Sequence, residues 1–464
     1  MQDNFLFKFL KEVYSSLPES LKYSREYYKI YNATLEEIIE VEKLEHSQVE
    51  EYQISKVKEL LKFSYENVPY YRMLFDKENI NVYEFKSLTD IQKIPFLTKE
   101  IIKDNIDDLV VENYDKSNIR VAATGGSTGV PMKFFFNKFF FIARENAFID
   151  TLYKRLGYKN GEKTVILRGN LLKSFLGKNT MFKKRIFRNE LLMSSYHLSD
   201  RNARLYLKNI EKFKPKCIKA YPSSLNILAN YIVEHNYQNR ICPEVIILAS
   251  ENITENQKSF FKEVFKNSRI ASFYGHTEKA SLAGECEKQD TYHFEPVYGF
   301  SELVNLDNEW SSEEDEIGEI VATGFNNYTM PFIRYRTNDL AINTSNSCEC
   351  KRPYRIIKDV LGRTQDIVYD FESTKIALTS LIHSQHIIAL GKVMEYQVVQ
   401  NVIGEVLINL VVKNDFNNDD SKEIKDKITS AANNKLIVKI CFVEEIGKTN
   451  RGKHKFFVQN IKIN

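Results

Sequence analysis

The sequence predicts an α/β protein with a large N-terminal domain of mixed sheets and helices and a small C-terminal α+β domain. The chain has 464 residues, which is too long for one ordinary hydrophobic core. Strand-like runs alternate with helical runs through the middle of the chain. Roughly the last hundred residues carry a strand and helix pattern of their own, and this pattern predicts the separate small domain.

The composition is that of a soluble globular protein. Hydrophobic residues make up 43% and charged residues 27% of the chain, so a core can form without disulfides. The 65 basic and 62 acidic residues nearly balance, which gives no argument for a nucleic-acid partner. Six cysteines are sparse for this length, and neither a secretory signal pattern nor a membrane-length apolar run stands out. We therefore expect a cytoplasmic protein without a transmembrane segment.

The start of the chain, over about residues 1–115, is predicted to be helical. Glu36 to Leu61 is rich in Glu, Lys, Leu and Val, with apolar positions at helical spacing. Pro69 interrupts this pattern because proline disfavours helical backbone in the residue before it. Thr98 precedes a Lys-Glu pair and is predicted to cap the next helix.

From residue 119 the alternation of strands and helices indicates an α/β sheet. The predicted strands of this region are Ile119–Ala123, Met132–Phe136, Thr164–Leu167 and Val245–Leu248. The predicted helices are Arg201–Phe213 and Asn256–Phe265. Residues 299–343 are predicted to be mainly β, with strands Ser301–Asn305, Glu319–Thr323 and Phe332–Tyr335. The C-terminal pattern predicts strands Met394–Gln400, Glu405–Val412 and Leu436–Val443 and a helix Ser421–Asn433.

The sharpest local feature is a glycine-rich loop between two predicted strands. It consists of Thr124, Gly125, Gly126, Ser127, Thr128 and Gly129. Glycine lets the backbone approach a polyanion, successive N–H groups can form an anion nest, and hydroxyls can donate to phosphate oxygens. The loop lacks the Gly-Lys-Ser/Thr ending of a P-loop, so it is not a Walker motif. Alone, it fits a phosphate-binding loop and a flexible glycine turn equally well.

Further segments follow in order: Ser250-Glu251, Tyr274-Gly275-His276-Thr277-Glu278, Tyr335-Arg336-Thr337-Asn338-Asp339, Gly362-Arg363-Thr364-Gln365 and Gly452-Lys453. Together with the glycine-rich loop they resemble the motifs of the adenylate-forming superfamily. Within it, the chain resembles the phenylacetate–CoA ligase family, and most narrowly the CapK-like members that are encoded in capsular-polysaccharide clusters. The segments Val68-Pro69-Tyr70-Tyr71 and Ala220-Tyr221-Pro222-Ser223 fit that branch.

The resemblance implies ATP-dependent activation of a carboxylic acid as its acyl-AMP, followed by acyl transfer. In such an enzyme Tyr274 stacks on the adenine, Thr277 contacts the α-phosphate and Glu278 helps to hold Mg²⁺. Asp339 binds the ribose hydroxyls, and Arg363 reaches the ribose or the phosphate. Lys453 stabilises the adenylation transition state, with Lys448 and Lys455 as fallback candidates. The other implied nucleotide-binding residues are Thr124, Gly125, Gly126, Ser127, Thr128, Gly129, Ser250, Glu251 and Gly275.

The resemblance also implies the domain boundary. Gln365 takes the hinge position, so an ATP- and acid-binding domain covers residues 1–365 and a mobile lid domain covers residues 366–464. Two residues depart from the family pattern. Gln365 replaces the usual Asp or Lys, and Asn338 replaces a glycine, whose left-handed backbone Asn tolerates.

A third departure concerns the acyl acceptor. CoA ligases of the family continue after the hinge with an Arg-Gly-like pair that borders the thiol tunnel, whereas this chain has Tyr369-Asp370-Phe371-Glu372-Ser373. Two acceptors therefore stay open: the thiol of CoA or of a carrier, and an amine of an amino sugar or amino acid. Tyr221, Ser223 and His276 are the predicted residues of the acid pocket.

The resemblance further implies a structural zinc site. Some phenylacetate–CoA ligase relatives have a Cys-x-Cys pair before the hinge, together with a Cys and a His after the Tyr-Gly-x-Thr-Glu motif. The matching residues here are Cys286, His293, Cys348 and Cys350. Three thiolates and one imidazole suit tetrahedral zinc, and four protein ligands leave no position for substrate. The alternative is a set of ordinary buried thiols with a surface histidine.

Two other functions stay open beside the ligase. One is transfer of AMP to a hydroxyl, as in the related coenzyme F390 synthetases, and the other is a non-catalytic nucleotide-binding partner. Lys183, Lys184, Arg185 and Arg188 form a local basic cluster. Such a cluster is usually a solvated surface, and a polyanion-binding or membrane-surface role is the alternative.

Overall fold

A computed structural model describes residues 23–461, except for 114–116, 125–131, 169–171, 174–178, 252, 254, 307–309, 364–366, 383–386 and 448–455. The described residues form two compact units, each built from two stretches of chain. The first unit contains residues 23–155 and 273–361, and the second contains residues 156–272 and 362–461. Both units combine helices with β-sheet, so the predicted α/β class is confirmed.

The α-helices are α1 Arg25–Val41, α2 His46–Asn67, α3 Pro69–Lys77, α4 Lys99–Asp104, α5 Lys138–Arg155, α6 Asp200–Phe213, α7 Pro222–Glu234, α8 Glu255–Val264, α9 Leu378–Ile382 and α10 Asn418–Ala431. The strands up to residue 294 are β1 Ile119–Ala123, β2 Lys133–Asn137, β3 Thr164–Arg168, β4 Leu172–Lys173, β5 Asn179–Thr180, β6 Phe182–Arg185, β7 Glu190–Ser194, β8 Cys217–Ala220, β9 Val245–Leu248, β10 Arg269–Gly275, β11 Leu282–Glu285 and β12 Tyr292–Phe294. The later strands are β13 Gly299–Asn305, β14 Ile317–Gly324, β15 Tyr335–Asn343, β16 Ile356–Arg363, β17 Ile367–Tyr369, β18 Lys375–Ala377, β19 Val393–Val402, β20 Glu405–Val412, β21 Ile437–Phe442 and β22 Phe457–Gln459.

The helical start of the first unit differs from its prediction in one place. The expected helix from Glu36 to Leu61 is two helices, because α1 ends at Val41 and α2 begins at His46 after a capping box between Glu45 and Gln48. Pro69 occupies the first turn of α3, which is a favourable position for proline. Thr98 caps α4 by accepting a hydrogen bond from the Ile101 N–H at 3.3 Å, as predicted.

The sheet of the first unit runs β13-β14-β15-β16-β12-β11, and the last three residues of β10 pair with β11. The predicted strand Phe332–Tyr335 was wrong, because β15 begins only at Tyr335. Arg334 has a φ of +50°, a left-handed conformation that interrupts extended backbone. The β1–β2 hairpin and the helical start pack on one apolar core, which includes Leu60, Phe134, Phe332 and Tyr335.

The second unit contains a parallel sheet in the order β10-β9-β8-β3-β7, with β6 antiparallel at the edge. Helices α6, α7 and α8 connect β7, β8, β9 and β10 in chain order. The chain goes from β3 to β7 on one side and then crosses to β8 on the other side of β3. This reversal is a topological switch point, and ligands of open α/β sheets bind outside the carboxyl ends of strands at such a point.

Residues 367–461 of the second unit have a sheet and a core of their own. The sheet order is β21-β20-β19-β22, and α10 packs on it through Ile424 and Ile428 against Leu410 and Val438. This is the predicted C-terminal α+β arrangement. The predicted boundary at residues 365 and 366 lies outside the described residues and stays a prediction. Within the described part of the chain, no helix is both long enough and apolar enough to cross a bilayer.

Candidate functional site

Two of the predicted nucleotide-binding segments meet in the first unit. Tyr274 lies near the end of β10 and donates its hydroxyl to Asp339 Oδ2 of β15 at 3.0 Å. Tyr335, the first residue of β15, donates its hydroxyl to Glu278 Oε1 at 2.6 Å. Each segment thus supplies one phenol and one carboxylate, and each phenol binds the carboxylate of the other segment. We call Tyr274, Asp339, Tyr335 and Glu278 the tyrosine–carboxylate cluster.

Glu278 is held as a buried carboxylate. Glu278 is only 5% exposed. Burial by itself raises the pKa of Glu278, but hydrogen bonds from His276 and Tyr335 outweigh burial and hold that pKa at about 2. Burial also raises the pKa of Tyr335 well above its usual value, so the phenol keeps its proton and can only donate to the carboxylate. Glu278 is therefore ionised at neutral pH, as a ligand for a hard cation must be.

His276 is fixed by two hydrogen bonds within its own turn. The Ser281 backbone N–H donates to His276 Nε2 at 3.2 Å, so Nε2 must present a lone pair. The ring proton then lies on Nδ1, which is 3.2 Å from Glu278 Oε2 and donates to it. Both ring nitrogens are used in these bonds, so His276 supports Glu278. None of the contacts described for His276 favours its predicted role in the acid pocket.

The groups around the cluster differ in exposure. The Tyr274 ring is 8% exposed, and burial together with Asp339 raises the pKa of its phenol well above the usual value. Asp339 is half-buried, whereas Gly275 and Thr277 are exposed. Asn338 has a φ of +61°, which is the left-handed conformation that the family glycine would provide. Asn338 therefore substitutes for glycine without forcing a different backbone.

The ends of the glycine-rich loop are tied together. The Thr124 N–H donates to the Met132 carbonyl at 2.9 Å, and the Met132 N–H donates to Thr124 Oγ1 at 3.1 Å. These bonds close the β1–β2 hairpin at the start of the loop. The rest of the predicted phosphate-binding loop lies outside the described residues: Gly125, Gly126, Ser127, Thr128 and Gly129.

The second unit places three predicted residues at its topological switch point. Tyr221 follows β8 and precedes α7, and Ser223 lies in the first turn of α7. Glu251, which follows β9, accepts the Ser223 N–H at 2.9 Å and the Ser223 hydroxyl at 3.0 Å. A carboxylate at a helix N-terminus is stabilised by the unpaired N–H groups there. Ser250, beside it, has a φ of +72°, and strained backbone of this kind is typical of functional turns.

The remaining predicted catalytic residues have no described side chain. Lys453, its fallback candidates Lys448 and Lys455, and the hinge residue Gln365 all lie outside the described residues. Arg363 is the last residue of β16, and the structure describes only its backbone. The roles of these residues stay predictions.

A second cluster of the first unit brings together the four predicted zinc ligands. Cys286, His293, Cys348 and Cys350 place their ligand atoms within 4.8 Å of one another. Cys348 Sγ lies 3.4 Å from Cys286 Sγ, and Cys350 Sγ lies 3.4 Å from His293 Nε2. Around tetrahedral zinc with Zn–S bonds of about 2.3 Å, neighbouring ligand atoms are about 3.8 Å apart. The donor set and its spacing therefore fit such an ion. We call these residues the cysteine–histidine cluster.

Its surroundings suit thiolates. Backbone N–H groups of Lys288 and Arg352 donate to Cys286 Sγ at 3.3 Å and Cys350 Sγ at 3.5 Å. Arg352 also donates from Nη2 to Cys286 Sγ at 3.4 Å, and Glu287 orients the same guanidinium at 2.6 Å. Burial, with help from Arg352 and Arg155, lowers the pKa of His293 to about 4, so its ring is neutral and free to act as a ligand.

Sequence analysis did not assign Tyr335 a role of its own. It appeared only at the end of the predicted strand Phe332–Tyr335 and within the segment that ends at Asp339. The available signal was that both segments hold a tyrosine and an acidic residue, a combination that allows mutual hydrogen bonds. The support given by His276 was also missed, because its partner Ser281 lies outside the motif.

Comparison with known proteins finds relatives of the predicted kind. Residues 368–460 match the family model of the CapK C-terminal domain. Protein CapK of Staphylococcus aureus is 24% identical over 474 aligned residues, which cover 99% of this chain and all of CapK. Phenylacetate–coenzyme A ligase of Thermus thermophilus is 25% identical over 340 residues, which cover 71% of this chain and 73% of the ligase.

Solved structures show the same fold. A 2-hydroxyisobutyryl-CoA ligase bound to an acyl-AMP superposes with a TM-score of 0.70 at 15% identity, covering 90% of this chain and 91% of the ligase. An acyl acid amido synthetase superposes with a TM-score of 0.57 at 15% identity, covering 89% of each chain. The fold is therefore shared by enzymes that differ in their acyl acceptor.

Proposed function

We propose that the protein activates a carboxylic acid with ATP as its acyl-AMP and then transfers the acyl group to a thiol or an amine. It is a relative of CapK and of the phenylacetate–coenzyme A ligases, and it has the fold of the adenylate-forming ligases. The tyrosine–carboxylate cluster carries the proposal. It joins two predicted nucleotide-binding segments, and it keeps one carboxylate buried and ionised and another half-exposed.

In the first half-reaction, a carboxylate oxygen of the acid attacks the α-phosphorus of ATP, and pyrophosphate leaves. Glu278 would hold Mg²⁺, which neutralises charge on the phosphates. Asp339 binds the ribose hydroxyls, and Thr277, which is exposed, reaches the α-phosphate. Lys453 stabilises the charge that develops on the oxygens between acid and phosphate.

The acid lies at the switch point of the second unit in this proposal. Tyr221 and Ser223 stand at the carboxyl end of β8, where open α/β sheets bind ligands. Glu251 engages both donors of Ser223, so Tyr221 is the better candidate for direct contact with the acid. The phenol can donate one hydrogen bond to an acid, and its ring favours a substrate with an apolar body.

The second half-reaction has two forms, which differ in whether the acyl acceptor is a thiol or an amine. Solved relatives of the same fold include a CoA ligase and an amido synthetase, so the fold supports both outcomes. The full-length similarity to CapK supports an acceptor in capsular-polysaccharide synthesis, such as the amine of an amino sugar. The enzyme would act in the cytoplasm, where ATP is supplied. A bound Zn²⁺ at the cysteine–histidine cluster would have a structural role, because four protein ligands fill its coordination shell.

Acid-dependent release of pyrophosphate tests the first half-reaction. Wild type, Lys453→Ala and Lys455→Ala are compared with Mg·ATP over a panel of aryl, fatty, hydroxy and amino acids. We expect release with one acid class and a loss of about 100-fold or more in Lys453→Ala, with Lys455→Ala close to wild type. The Lys455 variant is the matched control, because it removes a neighbouring lysine of the same tail.

Other outcomes would change the proposal. ATP binding without pyrophosphate release for any acid contradicts the ligase and favours a nucleotide-binding partner. A stable adenylylated hydroxyl product identifies AMP transfer instead. Where acyl-AMP forms, CoA, pantetheine and amino sugars are offered in turn, and mass spectrometry of the product separates thioester from amide.

A further inference from the structure

A rigid turn in the second unit exposes two adjacent large apolar side chains. Ile186 and Phe187, in the turn between β6 and β7, are 70% and 66% exposed. These are the two highest values among the large apolar side chains that the structure describes. Neither residue belongs to the tyrosine–carboxylate cluster, the cysteine–histidine cluster or the switch point. Single exposed apolar residues are common, whereas adjacent exposed apolar residues are more typical of an interaction site.

The turn is held in place by several contacts. Glu190 pairs with Arg185 Nη1 at 3.1 Å and with Arg188 Nε at 3.4 Å, and so bridges the residues on both sides of the apolar pair. Asn189 takes a left-handed φ of +51° and donates from Nδ2 to the Gly161 carbonyl at 2.8 Å. The two side chains are thus presented outward by a fixed hairpin tip, which lowers the entropy cost of inserting them into another phase.

The same tip is basic. Lys183, Lys184, Arg185 and Arg188 are opposed by Glu190, so these five side chains carry a net charge of +3, from four positive and one negative group. Lys163 and Lys184 both approach the Phe213 ring, at 5.9 and 5.8 Å, so the basic surface continues from the hairpin onto the neighbouring strand start. Lysine and arginine near an anionic membrane surface are each attracted to it, and exposed apolar residues insert at its interface.

We propose that the Ile186–Phe187 tip docks the protein on a bilayer that contains anionic lipid. Both apolar side chains are largely exposed, so they do not enclose a small ligand, and they add nothing to binding of a soluble polyanion. Arg185 pairs in register with Glu190, which in turn pairs with Thr164, the first residue of β3. The tip therefore lies at the amino edge of the parallel strands. Docking there keeps the bilayer at the edge of the sheet opposite the carboxyl ends of the strands, which carry Tyr221 and Ser223.

Co-sedimentation of the full chain with vesicles tests the proposal. We expect binding to vesicles of phosphatidylcholine with phosphatidylglycerol, weaker binding at high salt, and no binding to phosphatidylcholine alone. The variant Ile186→Ser/Phe187→Ser should bind at least about tenfold more weakly, since it keeps every charge but removes the inserting groups. Lys183→Glu/Lys184→Glu should also lose binding.

The chain offers a matched control on another hairpin. Val402 and Ile403, at the tip between β19 and β20, are another adjacent exposed apolar pair, at 59% and 39%. They lie beside Glu405, which neutralises Lys439 at 2.6 Å. Val402→Ser/Ile403→Ser should bind vesicles like wild type. Far-ultraviolet circular dichroism of each variant checks that it is folded.

Three results would overturn the proposal. The first is a wild-type chain that stays in the supernatant with anionic vesicles at low salt. The second is Ile186→Ser/Phe187→Ser that binds as wild type does, which would show a purely electrostatic surface for polyanions. The third is a wild-type chain that does not bind vesicles but forms a dimer in sedimentation velocity, while Ile186→Ser/Phe187→Ser is a monomer. That result would make the tip a contact between two copies.

Discussion

The two side-chain clusters of the first unit reach their arrangements in different ways. In the tyrosine–carboxylate cluster, Glu278 and Asp339 each accept a phenol hydroxyl from the protein. In the cysteine–histidine cluster, sulfur contacts sulfur and imidazole, and the surrounding groups are mostly donors, from Lys288 and Arg352. Donors around sulfur stabilise thiolates rather than thiols, and burial opposes this by raising the pKa of Cys286 and Cys350.

The difference separates a site that the protein arranges by itself from one whose donor set suits a cation. Phenols and carboxylates complement one another, so their hydrogen bonds can position the two predicted nucleotide-binding segments without a ligand. Three close thiolates repel one another, and a divalent cation is the natural means of holding them together. Substitutions in the first cluster should therefore affect catalysis as well as stability, whereas substitutions in the second should act mainly on stability.

Removal of metal should have the largest effect. We expect one zinc per chain by elemental analysis, and a melting temperature lower by about 5–10 °C after chelation or in Cys348→Ser, because the loops at both ends of the cluster lose their link. Cys242→Ser and Cys441→Ser, which change exposed cysteines outside the cluster, should keep the zinc. A purified chain without zinc, or a Cys348 variant as stable as wild type, would favour the ordinary buried thiols.

Tyr335→Phe should lower stability and activity together. It leaves Glu278 buried with one donor fewer, which costs about 1–3 kcal/mol. Because the pKa of Glu278 is lowered in the folded protein, its stabilising contribution is full above about pH 4.5 and is lost as pH falls through about 2. The stability difference between wild type and variant should therefore be largest near neutral pH and shrink below pH about 4, as measured by denaturant unfolding.

Tyr298→Phe is the matched control for that experiment. Tyr298 donates to Glu145 Oε2 at 2.6 Å in the same unit, outside the nucleotide-binding segments. It should lose less stability, because Glu145 is half-buried and can accept a hydrogen bond from water instead, and it should keep pyrophosphate release. An equal loss of activity in both variants would mean that Tyr335 serves the fold alone.

Tyr274→Phe should have the smallest effect. Asp339 is half-buried and can replace the lost donor with water, so the loss of stability should be within about 1 kcal/mol. The phenyl ring still offers a face to the adenine, and only the orientation of Asp339 is relaxed. We expect the KM for ATP to rise about threefold to tenfold with little change in kcat. A fall in kcat at unchanged KM would place Tyr274 in the chemical step instead.

Much of the fold and part of the site could be predicted from local chemistry. The strand Val245–Leu248, the cap at Thr98 and the left-handed Asn338 follow from residue types and their immediate neighbours. The clustering of Cys286, His293, Cys348 and Cys350 was predicted from the family resemblance and is found in the structure. The bonds between Tyr335 and Glu278 and between Ser223 and Glu251 join residues 57 and 28 positions apart, so no local pattern could indicate them.

The division of each unit into two stretches of chain has a consequence for how the protein is made. The first unit begins at residue 23 but needs residues 273–361 for its sheet, whereas the two stretches of the second unit, 156–272 and 362–461, each contain a core of their own. A ribosome that adds about 5–20 residues per second must therefore expose residues 23–155 for several seconds before the strands of residues 273–361 emerge. Nascent chains should depend on protection from aggregation during this interval, and no single cut can release the first unit as an intact fragment.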